Sequence, residues 1–124
     1  MKRFVRNFST GFLGLALGAA AVTALWAQAT PPVYIVIDFS EMIDADAFGK
    51  AAANAPAPPS GYLVRTQKAT QLDGAAAPAR FVMIAFDSEA KAKEWFNSPA
   101  IAAVSAVRSK ATKSRAFIVE GMSK

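Results

Sequence analysis

Residues 33–39 read Val-Tyr-Ile-Val-Ile-Asp-Phe, and no other stretch limits the fold as strongly. A short run of β-branched and aromatic residues predicts a strand. Its apolar side chains fall on successive positions rather than alternate ones, so both of its faces need cover. Asp38 is the one interruption, near the end. Three further segments read as strands: residues 62–68 (YLVRTQK), which alternate, residues 80–86 (RFVMIAF), and residues 115–120 (RAFIVE), closed by Gly121.

Helices fit between them. Asp44 is the expected N-cap of the first, with Ile43 and Phe48 placed as a hydrophobic staple and Asp46 at the positive end of the dipole. That helix runs through residues 51–53 and must stop before Pro56. Residues 55–61 (APAPPSG) form a stiff, extended loop within the domain. Asp73-Gly74 is the turn signal of a polar, Ala-rich connection. Asp87 or Ser88 caps the next helix, whose apolar side carries Ala92, Trp95 and Phe96. Of the adjacent pair Trp95 and Phe96, one is expected in the core and the other at an edge or dimer seam. Asn97-Ser98-Pro99 ends that helix and starts another, with Ser98 as N-cap and Pro99 at the first position. Ile101, Val104, Val107 and Ala111 then recur at helical spacing.

The order β-α-β-β-α-(α)-β predicts an α+β domain. It is the split βαβ, ferredoxin-like arrangement, with a four-stranded antiparallel sheet and helices on one face. The other face stays open and apolar. Two such sheets packed face to face would hide it, which predicts a homodimer.

Residues 1–29 read as a secretory signal peptide ahead of a domain spanning 30–124. Lys2, Arg3 and Arg6 precede an uncharged run from Gly11 to Trp26, and Ala27-Gln28-Ala29 offers a cleavage site. The alternative is a retained N-terminal anchor, the chain's expected route to a membrane. That run is shorter than the ~20 residues needed to span a bilayer core. Either way the expected address is outside the cytoplasm, in a bacterial periplasm or secreted. Without Lys2, Arg3 and Arg6 the 14 cations fall to 11 against 9 acids, so the net charge drops from +5 to +2. That residue of charge does not predict a nucleic-acid partner. The cluster Arg108, Lys110, Lys113 and Arg115 reads as a solvated helix end.

The chain has no Cys and no His. Disulfides, thiolate chemistry, Ser-His-Asp triads and His-ligated metals therefore drop out. No cofactor and no metal site is expected. Asp44 and Asp46 are explained by capping.

Five motifs, in order over most of residues 33–121, resemble the domain-of-unknown-function 1330 family. They are Gly61-Tyr62-Leu63-Val64-Arg65, then Leu72-Asp73-Gly74, then residues 80–86 followed by Asp87-Ser88. Trp95-Phe96-Asn97-Ser98-Pro99 comes next, and Arg108 with Ile118-Val119-Glu120-Gly121 completes the set. The resemblance implies membership of the dimeric α/β-barrel group of ferredoxin-like proteins, and no general activity. The chain departs from the family at three places. Ala51 and Ile101 stand where tyrosines are usual, and Thr66-Gln67 follow the strand Arg where Gly is common. If those tyrosines line a pocket, this chain's pocket is more apolar.

Arg65 is the sharpest candidate site residue. It sits in an apolar strand, on the same face as Leu63, and needs an anion: a ligand's carboxylate or phosphate, or else Asp38 or Glu120. Asp38 and Glu120 could serve as general bases if desolvated. Tyr34, Tyr62, Ser98 and Arg108 complete the candidates, each with a packing, capping or surface role as the alternative. Three functions stay open. One is a small-molecule binding protein, with an anion among the possible ligands of the barrel pocket. Another is a cofactor-independent oxygenase- or isomerase-like enzyme, by analogy with related barrels. The last is a periplasmic interaction or structural dimer.

Overall fold

β1 (Val33–Met42) and β3 (Arg80–Phe86) form the centre of a four-stranded sheet, flanked by β2 (Tyr62–Thr66) and β4 (Thr112–Glu120) in the order β2-β3-β1-β4. Every neighbouring pair is antiparallel. α1 (Ala45–Ala53) links β1 to β2, while α2 (Glu89–Phe96) and α3 (Pro99–Ala111) link β3 to β4. Each β-α-β unit is thus split by a strand of the other, as the order of strands and helices in the sequence predicts. This computed structural model describes residues 30–123, and residues 32–122 form one unit. The expected signal peptide, residues 1–29, lies outside the described residues. The sheet of one chain is open, with β2 and β4 as its edges, and is not a closed barrel.

Alternation along each strand gives the sheet two different faces. Ile35 and Phe39 of β1 and Val82, Ile84 and Phe86 of β3 meet Phe48 and Ala92 from the helices in the core. Phe39 is 1% exposed and meets Phe48 edge-on, with ring centroids 5.3 Å apart. The intervening positions face away from the helices. There Val36 lies opposite Met83 on one side and Phe117 on the other. Val36 is only 4% exposed although no helix covers it, because its strand neighbours do. Phe117 and Val119, on the edge strand, stay 39% and 37% exposed. The two-sided cover expected of residues 33–39 is therefore supplied by helices on one face and by adjacent side chains on the other.

Local chemistry fixes the helix ends. Asp44 Oδ1 accepts a hydrogen bond from the Ala47 N–H at 3.1 Å, the expected cap. Ser88, not Asp87, caps α2, its Oγ accepting from the Lys91 N–H at 3.2 Å. Asp87 instead pairs with Lys91 at 3.5 Å. Ser98 occupies the N-cap position of α3 but makes no capping bond, and its hydroxyl donates to the Trp95 carbonyl at 2.7 Å. Ile43 remains exposed, so Phe48 is buried by Phe39 rather than by a staple.

β4 starts at Thr112, three residues before the expected strand, with no loop after α3. Thr112 Oγ1 donates to the Arg108 carbonyl at 2.7 Å and closes the helix as the strand begins. This junction divides the basic cluster that reads in sequence as one solvated helix end. Lys113 pairs with Glu41 at 3.6 Å and Arg115 with Asp38 at 3.4 Å, while Arg108 turns inward and is half-buried.

Gly121 ends β4, and its N–H donates to the Pro32 carbonyl at 2.8 Å. A Cβ at this position would come within 2.5 Å of Tyr34 Cε2 and 3.1 Å of Pro32 Cγ. Gly121→Ala therefore forces the Tyr34 ring aside. It is expected to lower the melting temperature by about 5 °C or more, since overpacking costs about 1–3 kcal/mol in a domain of this size. A thermal melt followed by circular dichroism measures it.

Candidate functional site

Arg80 opens β3, two residues before Val82, so alternation places it on the helix-covered face with Val82, Ile84 and Phe86. The strand that supplies most of the core thus also carries a guanidinium under the helices. That group lies over two rings, 5.6 Å from the Phe48 centroid and 5.9 Å from that of Phe39. Its Nε is buried without a hydrogen-bond partner.

β2 brings a second guanidinium alongside. Its register breaks between Tyr62 and Val64, so Tyr62 pairs with Ile84 and Arg65 with Val82, both helix-facing positions. A bulge of this kind re-aims side chains. Here it gathers Tyr62 and Arg65, rather than Leu63 and Arg65, on one face. The Arg65 guanidinium stands 4.7 Å from the Tyr62 ring centroid. Arg65 is exposed, because β2 is an edge strand, and the more covered arginine is the half-buried Arg80 across the ladder.

Arg108 comes from the last turn of α3, held by a 2.9 Å bond from Nη1 to Ser114 Oγ. Arg65, Arg80 and Arg108 all line one cavity of about 80 Å³ between sheet and helices. Tyr62, Trp95 and Ser105 add polar atoms, and Phe48, Ile101 and Val104 are among its apolar walls. No Asp or Glu lines it. Among the described residues, neither Arg65 nor Arg80 has an ion-pair partner. Burial lowers the Arg80 pKa below its ordinary value. The neighbouring Arg65 charge lowers it further, and Tyr62 works in the opposite direction. Burial likewise lowers that of Arg108. Arginine nonetheless stays protonated at neutral pH. Two buried side-chain nitrogens lack hydrogen-bond partners among the described residues, Arg80 Nε and Trp95 Nε1, and both residues belong to this cavity.

Two larger depressions each include a carboxylate beside their cations. One of about 300 Å³, between α2 and β4, holds Lys93 and Glu89, which pair at 2.8 Å. Another of about 510 Å³, on the outer side of Arg108, contains Asp38 with Arg115 and a set of hydroxyls. Those hydroxyls bond to one another and to backbone carbonyls: Thr112 to Ser114, and Ser40 to the Lys113 carbonyl. Of these three, the small cavity has cations in its lining and no carboxylate.

The structure therefore brings together Tyr62, Arg65 and Arg108 of the sequence candidates and leaves the others apart. Tyr34 lies on the open face beside Gly121. Asp38 is on that face too, paired with Arg115 rather than with Arg65. Glu120 is exposed at the end of β4, and Ser98 is engaged with the Trp95 carbonyl. The expected anionic partners of Arg65, Asp38 and Glu120, are thus absent from its cavity, and no carboxylate is placed there to act as a base. Arg80, Trp95 and Ser105 join the site without having been sequence candidates. Arg80 had a legible signal, its spacing from Val82, Ile84 and Phe86. Ile101 is 5% exposed and forms part of the wall, so this cavity is apolar there.

Residues 32–122 match the family model described as a domain of unknown function (DUF1330). No curated protein matches the chain.

Proposed function

Since the chain belongs to the DUF1330 family, whose description assigns no activity, we propose its function from its own cavity: it binds a small anionic molecule between sheet and helices, as an exported homodimer. One observation carries the binding: three guanidiniums around one small cavity with no carboxylate among them. Desolvating a guanidinium is costly unless an anion meets it. Stacking on Phe39, Phe48 and Tyr62 offsets only part of that cost. A bound anion supplies the rest and relieves the repulsion between Arg65 and Arg80.

The dimer rests on the open face, where Val36, Met83, Phe117 and Val119 form an apolar surface without helices. A second copy presents the same surface under twofold symmetry. Each chain would keep its own cavity, since the cations lie on the opposite, helix-covered face. Export rests on the charged start, uncharged run and Ala27-Gln28-Ala29 of the leader.

The test is native mass spectrometry of the chain expressed whole, with its leader, in a bacterial host. The expected species is a dimer with an added small-molecule mass that is lost on denaturation. Arg65→Met should give the same dimer without that mass. Bare wild-type protein refutes the binding, and a monomer refutes the assembly.

A further inference from the structure

We infer that the ligand is a short apolar carboxylic acid, its carboxylate on Arg80 and Arg65 and its hydrocarbon end toward Phe48, Ile101 and Val104. This rests on the cavity being the binding site proposed above. Three features of the cavity narrow the ligand.

The first is charge without a polar cradle. Arg65, Arg80 and Arg108 demand an anion, but the only hydroxyls in the lining are those of Tyr62 and Ser105. The guanidinium forks suit a carboxylate or a phosphate alike, and the walls decide between them, since a phosphate's remaining oxygens would meet hydrocarbon. A carboxylate has two oxygens in one plane, which a guanidinium fork meets with two parallel bonds.

The second is the remaining wall. Beyond the arginines it is mostly hydrocarbon, with Phe48 7% exposed and Ile101 5% exposed. A wholly polar anion would strip its own hydration against that wall and gain nothing from it. An acid with an apolar tail places each end against matching chemistry.

The third is size. A cavity of about 150 Å³ holds one benzene ring. This one, about 80 Å³, is smaller and takes a short chain only. Short acids fit, and decanoate does not.

The roles within the cavity differ. Arg80 is fixed by Phe39 and Phe48 and is the anchor for the carboxylate. Arg65, on the exposed edge strand, closes over it from the solvent side.

The experiment is calorimetric titration of the whole chain with acetate, butanoate, hexanoate and decanoate, with 1-hexanol as the uncharged analogue and inorganic phosphate as the polar anion. Affinity should rise about fourfold for each methylene from acetate to hexanoate, the worth of a buried CH₂. It should fall at decanoate. Hexanol and phosphate should each bind at least ten times more weakly than hexanoate. Arg80→Gln should abolish the preference for hexanoate over hexanol, and Arg80→Lys, which keeps the charge but loses the fork, should reduce it less. Equal binding of hexanol, tighter binding of phosphate, or an Arg80→Gln protein with unaltered preference overturns the carboxylate assignment. If no acid binds while the purified protein carries a bound neutral mass, the ligand class fails and the binding site stands. If no acid binds and the protein is bare, both fail.

Discussion

Phe39→Ala is expected to cost about 3–5 kcal/mol of folding stability, the range for removing a buried aromatic ring. A domain of this length has roughly 5–14 kcal/mol in total, so one substitution consumes about a fifth of it or more. Phe39 is 1% exposed and is the largest of the fully buried side chains. It lies on the central strand, where cover comes from helices on one side and strands on both edges, and the surroundings have little freedom to collapse into the gap. Its ring meets Phe48 at 5.3 Å and lies 5.9 Å from the Arg80 guanidinium. The same residue therefore fills the core and forms the floor beneath the cavity's buried cation. Urea denaturation measures the stability: the midpoint should fall sharply while the slope stays constant. Phe39→Leu, which leaves a smaller gap, should stay folded and still retain less of the small-molecule mass, because a guanidinium over an aliphatic group loses its cation–π attraction. A loss under about 1 kcal/mol for Phe39→Ala would contradict the packing described for this core.

The fold was legible because its signals are local and redundant. β3 matches the expected segment at both ends, since seven apolar-rich residues lie between a turn and a capped helix. The caps at Asp44 and Ser88 follow from side chains that hydrogen-bond to backbone three residues on. β4 was harder. Thr112-Lys113-Ser114 is polar and gives no strand signal of its own, yet those residues pair with Met42, Glu41 and Phe39 across the ladder. Tertiary pairing extended the strand past its sequence pattern, and that extension scattered a basic cluster that reads as one patch. The site was half legible for a similar reason. Alternation alone would put Leu63 with Arg65. A one-residue bulge changes the set to Tyr62 with Arg65, and nothing in five residues announces a bulge. Which arginine is buried depends on strand order, because an edge strand leaves Arg65 exposed and a central one covers Arg80. Strand order is a property of the assembled sheet.

Phe117→Glu is expected to convert the proposed dimer to a folded monomer, and it separates assembly from binding. Phe117 lies on the open face, opposite Val36, and is 39% exposed in the single chain. Replacing it removes little from the core, which lies on the other face. The new carboxylate also has a partner at hand, because the Arg115 guanidinium already stands 5.2 Å from the Phe117 ring centroid. In a monomer the substitution is thus nearly neutral. Between two sheets the same carboxylate loses its water, and twofold symmetry places two copies in one interface. An unsatisfied buried polar group costs about 1–3 kcal/mol, and more when charged. Two of them weaken the dimer by roughly thirtyfold to ten-thousandfold. Sedimentation velocity at micromolar concentration should show the wild type at twice the mass of the variant, with the melting temperature of the variant concentration-independent. The cavity lies on the helix-covered face of each chain, so a monomer should still carry the small-molecule mass. A variant that remains dimeric places the interface elsewhere, on an edge strand or a helix. A monomer that has also lost its ligand would mean that the second copy completes the site.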